Sequence, residues 1–170
     1  MKFLKYLLFA ILALVIVFFV AGLLRPSITY YSEIEVDHPP AKCWEVMSDT
    51  TKLADWLTGY QRSELLSGTA NTPGAVSNIY FNNNGQEMVI KETMKEIRPN
   101  ELMAMDFETD FMNMEYKFMF EDMGGKTKIS SETISRGNGV FARSMVAFLK
   151  GTMQGQEDEN MAKLKAVIER

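Results

Sequence analysis

Tyr6 to Leu24, "YLLFAILALVIVFFVAGLL", is nineteen residues without a charge, and it constrains this chain more than any other stretch. As a helix it is about 28 Å long at about 1.5 Å per residue, close to a hydrocarbon core of about 30 Å. It is apolar on every side, unlike a soluble helix with one buried stripe. A cleaved signal peptide has a shorter apolar core, of about 7–15 residues, and small residues at its cleavage site. In "FFVAG", Phe19 or Val20 stands where a small residue is wanted. The reading is an uncleaved transmembrane anchor over residues 1–25, a linker at 26–28 and one folded domain over 29–170. Lys2, Lys5 and the amino terminus precede the span, and only Arg25 closely follows it. Basic residues favour the cytoplasmic side. The expectation is therefore a single-pass membrane protein with a cytoplasmic N-terminus and an extracytoplasmic domain, on the periplasmic or cell-surface side.

Without Lys2, Lys5 and Arg25, the chain keeps 15 basic against 22 acidic residues, a formal charge of −7. Nucleic acid is a poor partner for such a domain, because phosphate binding needs concentrated positive charge. The same balance disfavours a charge-driven association with lipid headgroups. Cys43 is the only cysteine, so no internal disulfide forms. One Cys and one His make no clustered zinc site, and no metal or cofactor is expected. About 145 residues suffice for a core that needs no such staple.

After Pro26 the pattern turns to short extended segments. "ITYYSEIEV" (28–36) alternates and is rich in β-branched and aromatic residues, which favours a strand. Further strands are expected at 60–66, 75–81, 86–97, 102–110, 112–120 and 126–135, separated by turn formers such as "SGTANTPG", "RPNE" and "DMGGK". Asn84-Gly85 is the strongest hairpin signal, since a type I′ turn needs positive φ at both central residues. Hairpin-connected strands make an antiparallel sheet. From Val140 the period changes. Phe141, Met145, Phe148 and Leu149, then Met161, Leu164, Val167 and Ile168, fit a helical face, and the glycines at 151 and 155 weaken its middle. One long helix or two helices with a bend are expected. In "HPPAKCWEVMSDTTKLADW" (38–56), Pro39 is pushed out of the α region by Pro40, so Pro40 opens a short helix to Met47. Asp49 is expected to cap a second, ending near Trp56.

The fold class is therefore α+β. The order of its parts resembles the START-related helix-grip superfamily, also called SRPBCC or polyketide cyclase/dehydrase-like. The resemblance spans Thr29 to Arg170. "IEVDHPPAKCWEVMSDTTKLADWL" is similar to that family's first strand, Pro-led helix and second helix. "GTANTPGAV" resembles its loop into the third strand, "KETMKEIRPNELMAMDF" its fourth and fifth strands, and "MAKLKAVIE" the end of its C-terminal helix. The resemblance implies a curved antiparallel sheet of six or seven strands wrapped around a long C-terminal helix, with two short helices after the first strand. It also implies a cavity for hydrophobic or amphipathic ligands. Members range from lipid carriers to aromatase/cyclases and share no catalytic residue, so none is carried over.

His38 falls at a helix mouth and reads as a loop residue. Cys43 reads as a small buried apolar residue, since a catalytic thiol needs a base beside it and five positions across a helix start is poor geometry for one. Trp44 and Trp56 read first as packing residues. The chain has 13 methionines. On "MNMEYKFMF" one face carries Met112, Met114, Tyr116, Phe118 and Phe120, and on "LMAMDFETD" one face carries Met103, Met105, Phe107 and Thr109. Methionine walls are adaptable. The inward face of 86–97 carries Met88, Ile90, Glu92 and Met94, so Glu92 is the one carboxylate expected beside apolar walls, where its pKa would rise. The candidate ligand-binding set is Met88, Ile90, Glu92, Met105, Phe107, Met114, Tyr116, Phe118, Met145 and Phe148, with no catalytic and no metal residue assigned. The leading expectation is a membrane-tethered, non-enzymatic module for a hydrophobic or lipid-like molecule. The alternatives are a cyclase, dehydratase or hydrolase using Glu92 or Tyr116, and a ligand-free interaction module of the cell envelope.

Overall fold

The computed structural model describes residues 2–83 and 85–170. An apolar helix, α1 (Lys2–Leu24), is followed by β1 (Ser27–Val36), two short helices, α2 (Pro40–Ser48) and α3 (Leu53–Trp56), and strands β2 (Tyr60–Ser67) and β3 (Val76–Asn83). Strands β4 (Gln86–Arg98), β5 (Leu102–Glu108), β6 (Met112–Asp122) and β7 (Thr127–Gly137) follow, and α4 (Val140–Ile168) closes the chain. The strands form one antiparallel sheet in the order β1-β7-β6-β5-β4-β3-β2. β3 to β7 pair in succession through short turns, β2 joins β3 through the loop 68–75, and β1 joins the far edge, beside β7. Asn84 lies outside the described residues. The flanking pair Asn83–Gln86 is in register and Gly85 has φ 86°, the left-handed conformation glycine adopts without a Cβ penalty.

The sheet bends where one strand carries an extra residue. β2 has two such bulges, at Gln61 and Leu66, and β4 has one at Lys95. The β4 bulge also resets side-chain parity. Ile90, Glu92 and Met94 face inward before it and Ile97 after it, so the inner face stays continuous.

α4 lies along β1 and β7. Close approach is possible because β7 presents short side chains there: Thr127, Ser131, Thr133 and Ser135 are all fully buried under the helix. Gly137 at the end of β7 matters for the same reason. A Cβ there would collide with the α4 backbone at Ala142 and Arg143. The core sits at the far end of α4, where Met161, Leu164 and Ile168 pack against Val36, Cys43, Val46 and Ile129.

α4 is one continuous helix, so the glycines at 151 and 155 do not divide it. α2 opens with Pro40 at its first turn. Asp49 does not cap α3. Its carboxylate instead accepts from the Thr51 N–H (2.9 Å) and hydroxyl (2.6 Å), an Asx turn between the two helices. The first strand begins at Ser27, so only Arg25 and Pro26 separate it from α1.

Candidate functional site

Because α4 is drawn to the β1–β7 edge, the other half of the curved sheet is left without a helix directly against it. The space between is a cavity of about 460 Å³ walled by the inner faces of β2–β6, by α3 and by the middle of α4. Cross-strand register stacks its walls in rows. One row runs Met94, Met105, Tyr116, Thr133 and Tyr30 across β4, β5, β6, β7 and β1. The next runs Glu92, Phe107, Met114 and Ser135. The wall is apolar because the even positions of β4 and β6 and the odd positions of β5 point inward, and those positions hold Met, Phe and Ile.

Of the residues the sequence nominated, Met88, Ile90, Glu92 and Met105 line this cavity, and so do Phe107, Met114, Tyr116 and Phe118. Met145 and Phe148 do not. Met145 is half-buried outside the cavity, and Phe148 is 62% exposed with its ring stacked on Phe18 of α1, 5.8 Å between centroids. The first half of α4 has two partners. Ala142 and Val146 turn to the sheet while Phe141 and Phe148 turn to α1. A single apolar stripe drawn through all of them mixes the two faces.

Among the cavity's described polar side chains only two, Glu92 and Glu157, are ionisable carboxyls. Glu92 is half-buried among apolar neighbours, and burial pushes its carboxyl up to about 7. Opposite it, Glu157 reaches down from α4 and is 6% exposed. It accepts hydrogen bonds from the Ser131 hydroxyl (2.6 Å) and from the Tyr116 hydroxyl. Burial raises the Glu157 pKa, and these two bonds pull it partly back. Burial likewise raises the Tyr116 phenol well above its usual value, with the Glu157 charge adding to the effect. Among the described residues no lysine or arginine lines the cavity. The buried indole N–H of Trp56 has no acceptor among them, and its ring packs edge-on against Phe118.

Glu157 is the functional candidate that sequence reasoning passed over. It sits in "GQEDEN", a run that reads as a solvated face. Yet Met153, Glu157 and Met161 are spaced by four, so Glu157 occupies the same stripe as the core residues Leu164 and Ile168. A carboxylate on an apolar stripe was the available signal.

His38 and Cys43 form no catalytic pair. The Cys43 thiol is fully buried, its pKa is raised by burial, and it faces the His38 carbonyl oxygen at 3.9 Å, not the imidazole. That carbonyl also accepts from Thr127 Oγ1 at 2.7 Å, pinning the α2 entry to β7. Trp44 packs on Phe120. Among the described residues no three Asp, Glu, His or Cys side chains are grouped to hold a metal.

A family model described as polyketide cyclase / dehydrase and lipid transport matches residues 27–169. The chain belongs to this family. Comparison with curated proteins by sequence finds no match. Among solved structures, the chain is similar to the Zhui aromatase/cyclase of Streptomyces sp. R1128 (TM-score 0.69, 14% identity, 85% of this chain and 94% of that one). It is similar to a protein of Thermus thermophilus, TTHA0849 (TM-score 0.67, 15% identity, 83% and 97%). It is also similar to Ara h 8.0201 (TM-score 0.66, 15% identity, 84% and 97%). At these identities the likeness is one of fold: a helix-grip sheet with its C-terminal helix.

Proposed function

We propose that this member of the family is a membrane-tethered, non-enzymatic module that holds a hydrophobic or lipid-like small molecule between the sheet and α4. The observation that carries the reading is the cavity itself, about 460 Å³ with walls of Met, Phe and Ile, within the range of ligand sites of about 300–1,000 Å³. α1 serves as the anchor, Arg25 and Pro26 as the linker, and the chain from Ser27 on as the binding domain. The N-terminus is cytoplasmic and the domain extracytoplasmic. α1 is long and apolar enough to cross a membrane, and a tethered domain meets lipids at high local concentration.

The polar groups narrow the ligand. Among the described residues two carboxyl groups and no cation face the cavity, so a ligand with an apolar body and a neutral hydrogen-bond donor, or a cationic group, is favoured over one with an anionic head. In the full-length chain in detergent, long-chain alcohols or amines at about 100 times Kd add about 2.7 kcal/mol to stability by linkage, read as a rise in Tm. The matching fatty acids at pH 8 give a smaller rise. A panel that moves Tm with neither class contradicts the reading.

A second reading, acid–base catalysis of cyclase or dehydratase type, draws on Glu92 alone. A carboxyl titrating near 7 exchanges protons at neutral pH. Tyr116 does not support it, because its phenol is held protonated and donates to Glu157. This reading requires that Glu92→Gln abolish turnover of a bound molecule while binding persists. The tethered binding module requires no turnover in either form.

A further inference from the structure

α1 does not leave the domain freely. Phe18, Ala21 and Gly22 face the first half of α4 and are its shielded positions, whereas the other faces of α1 are open. Gly22 lies so close to Ser144 that a Cβ would overlap the Ser144 backbone. Phe18 stacks on Phe148 and tilts against Phe141, each at 5.8 Å. Small residues at a close helix crossing with aromatic rings around it make a packed joint.

The joint sets a depth. Phe18 is six residues before Leu24, about 9 Å inside the end of the apolar helix. Whatever stacks on Phe18 shares that depth. Phe141 and Phe148 are 59% and 62% exposed once α1 is in place, and Val140 is 43% exposed. An open aromatic pair beside an apolar helix is unfavourable in water and favourable in hydrocarbon. Three arginines stand near the end of α1. Arg25 follows the helix, Arg136 stands opposite Ser27 on β7, and Arg143 precedes Ser144 on α4. None of the three has a carboxylate partner among the described residues, and Arg143 Nε is buried without an acceptor. The excess of acidic residues disfavours headgroup binding over the surface as a whole, but these three arginines stand close to the end where α1 departs.

We propose that this end of the domain is seated in the bilayer surface, with Phe141 and Phe148 in the hydrocarbon beside Phe18 and with Arg25, Arg136 and Arg143 on anionic lipid headgroups. The proposal rests on the reading of α1 as a membrane anchor and goes beyond it. A tether alone leaves the domain in water on a linker, whereas a seated domain has a fixed face. Arginine is attracted to an anionic lipid surface, and phenylalanine rings favour hydrocarbon over water. The same end of the sheet carries Phe81 and Met88, which pair across β3 and β4 and line the cavity. Seating therefore turns that end of the cavity toward the bilayer, and a lipid-like ligand passes between the two over a short path.

The test uses the full-length chain in nanodiscs of phosphatidylcholine and phosphatidylglycerol, with a nitroxide at one introduced cysteine. Phe148→Cys reports the seat, Leu14→Cys the middle of the span, and Glu121→Cys the opposite end of the sheet. Phe141→Cys is a second reporter should Phe148→Cys disturb the joint. Cys43 is fully buried and stays unlabelled. The readout is accessibility to oxygen relative to a water-soluble nickel chelate. The proposal expects that ratio to be several-fold higher at 148 and 141 than at 121, approaching that at 14. A lipid-like ratio at 14 with a water-like ratio at 148 and 141 overturns the seat and leaves the anchor standing. A water-like ratio at 14 overturns the anchor, and the seat with it.

Discussion

The two halves of α4 use their apolar residues in opposite ways. In the second half, Met161, Leu164 and Ile168 are at most 2% exposed and meet Val36, Val46 and Ile129. In the first half, Val146 is buried on the sheet side while Phe141 and Phe148 stay open around α1. One helix is a core wedge at its C-terminal end and a two-partner joint at its N-terminal end. Between them lies Glu157, where the helix stands off from β3–β5 and the cavity opens. The difference teaches that the cavity exists because the helix is held at both ends. Short β7 side chains and Gly137 pull α4 onto one edge of the sheet, and the Met and Phe walls of the other edge are left facing space.

Cutting the same kind of group from each half of α4 separates their roles. Leu164→Ala removes a fully buried side chain and should destabilise by about 2–5 kcal/mol, read as a loss of Tm in chemical or thermal unfolding of the full chain. Equal losses at Phe148→Ala, in the first half, would contradict the division. Next in size is the pH effect at the middle. The folded-state pKa of Glu92 is raised from 4.5 to about 7, so the fold favours the protonated form. Its contribution to stability is complete below about pH 4.5 and is lost as pH rises through about 7. At roughly 1.36 kcal/mol per unit the loss is on the order of 3 kcal/mol. Glu157 adds to it in the same direction. Glu92→Gln should therefore raise Tm over the parent at pH 8 and leave it unchanged at pH 4, and equal shifts at both would show that Glu92 is solvated. Tyr116→Phe deletes one of two donors to Glu157 and should cost about 1 kcal/mol. Phe148→Ala in detergent should cost about 0.5–1 kcal/mol, chiefly its stacking on Phe18.

Much of this was legible beforehand because local chemistry and global fold agree. Alternation on 112–120 put Met114, Tyr116 and Phe118 on one face. Glycine and asparagine turns set the meander, and Pro40 opened α2. Two features resisted. Met145 and Phe148 were assigned to the cavity because apolar spacing shows that a helix has buried faces and not which neighbour buries them. Here α1, far away in sequence, takes one of those faces. Glu157 is not singled out by the sequence because neighbouring charges at Asp158 and Glu159 hide its place on the stripe, and only the Ser131 and Tyr116 donors opposite it explain a carboxylate there. The β4 bulge at Lys95 was also invisible, since the shift in parity from Met94 to Ile97 becomes clear only against β5.

The central claim is that the cavity between sheet and α4 holds a hydrophobic molecule. Met114 is half-buried on the cavity wall, so Met114→Trp fills that space without touching the α1–α4 joint. Native mass spectrometry of the full-length chain, released from membranes of the expressing cells, measures occupancy directly. One tightly retained small molecule is expected on the parent chain, lost on Met114→Trp while the variant stays folded. A bare parent chain, or an adduct equally abundant on Met114→Trp, would contradict it.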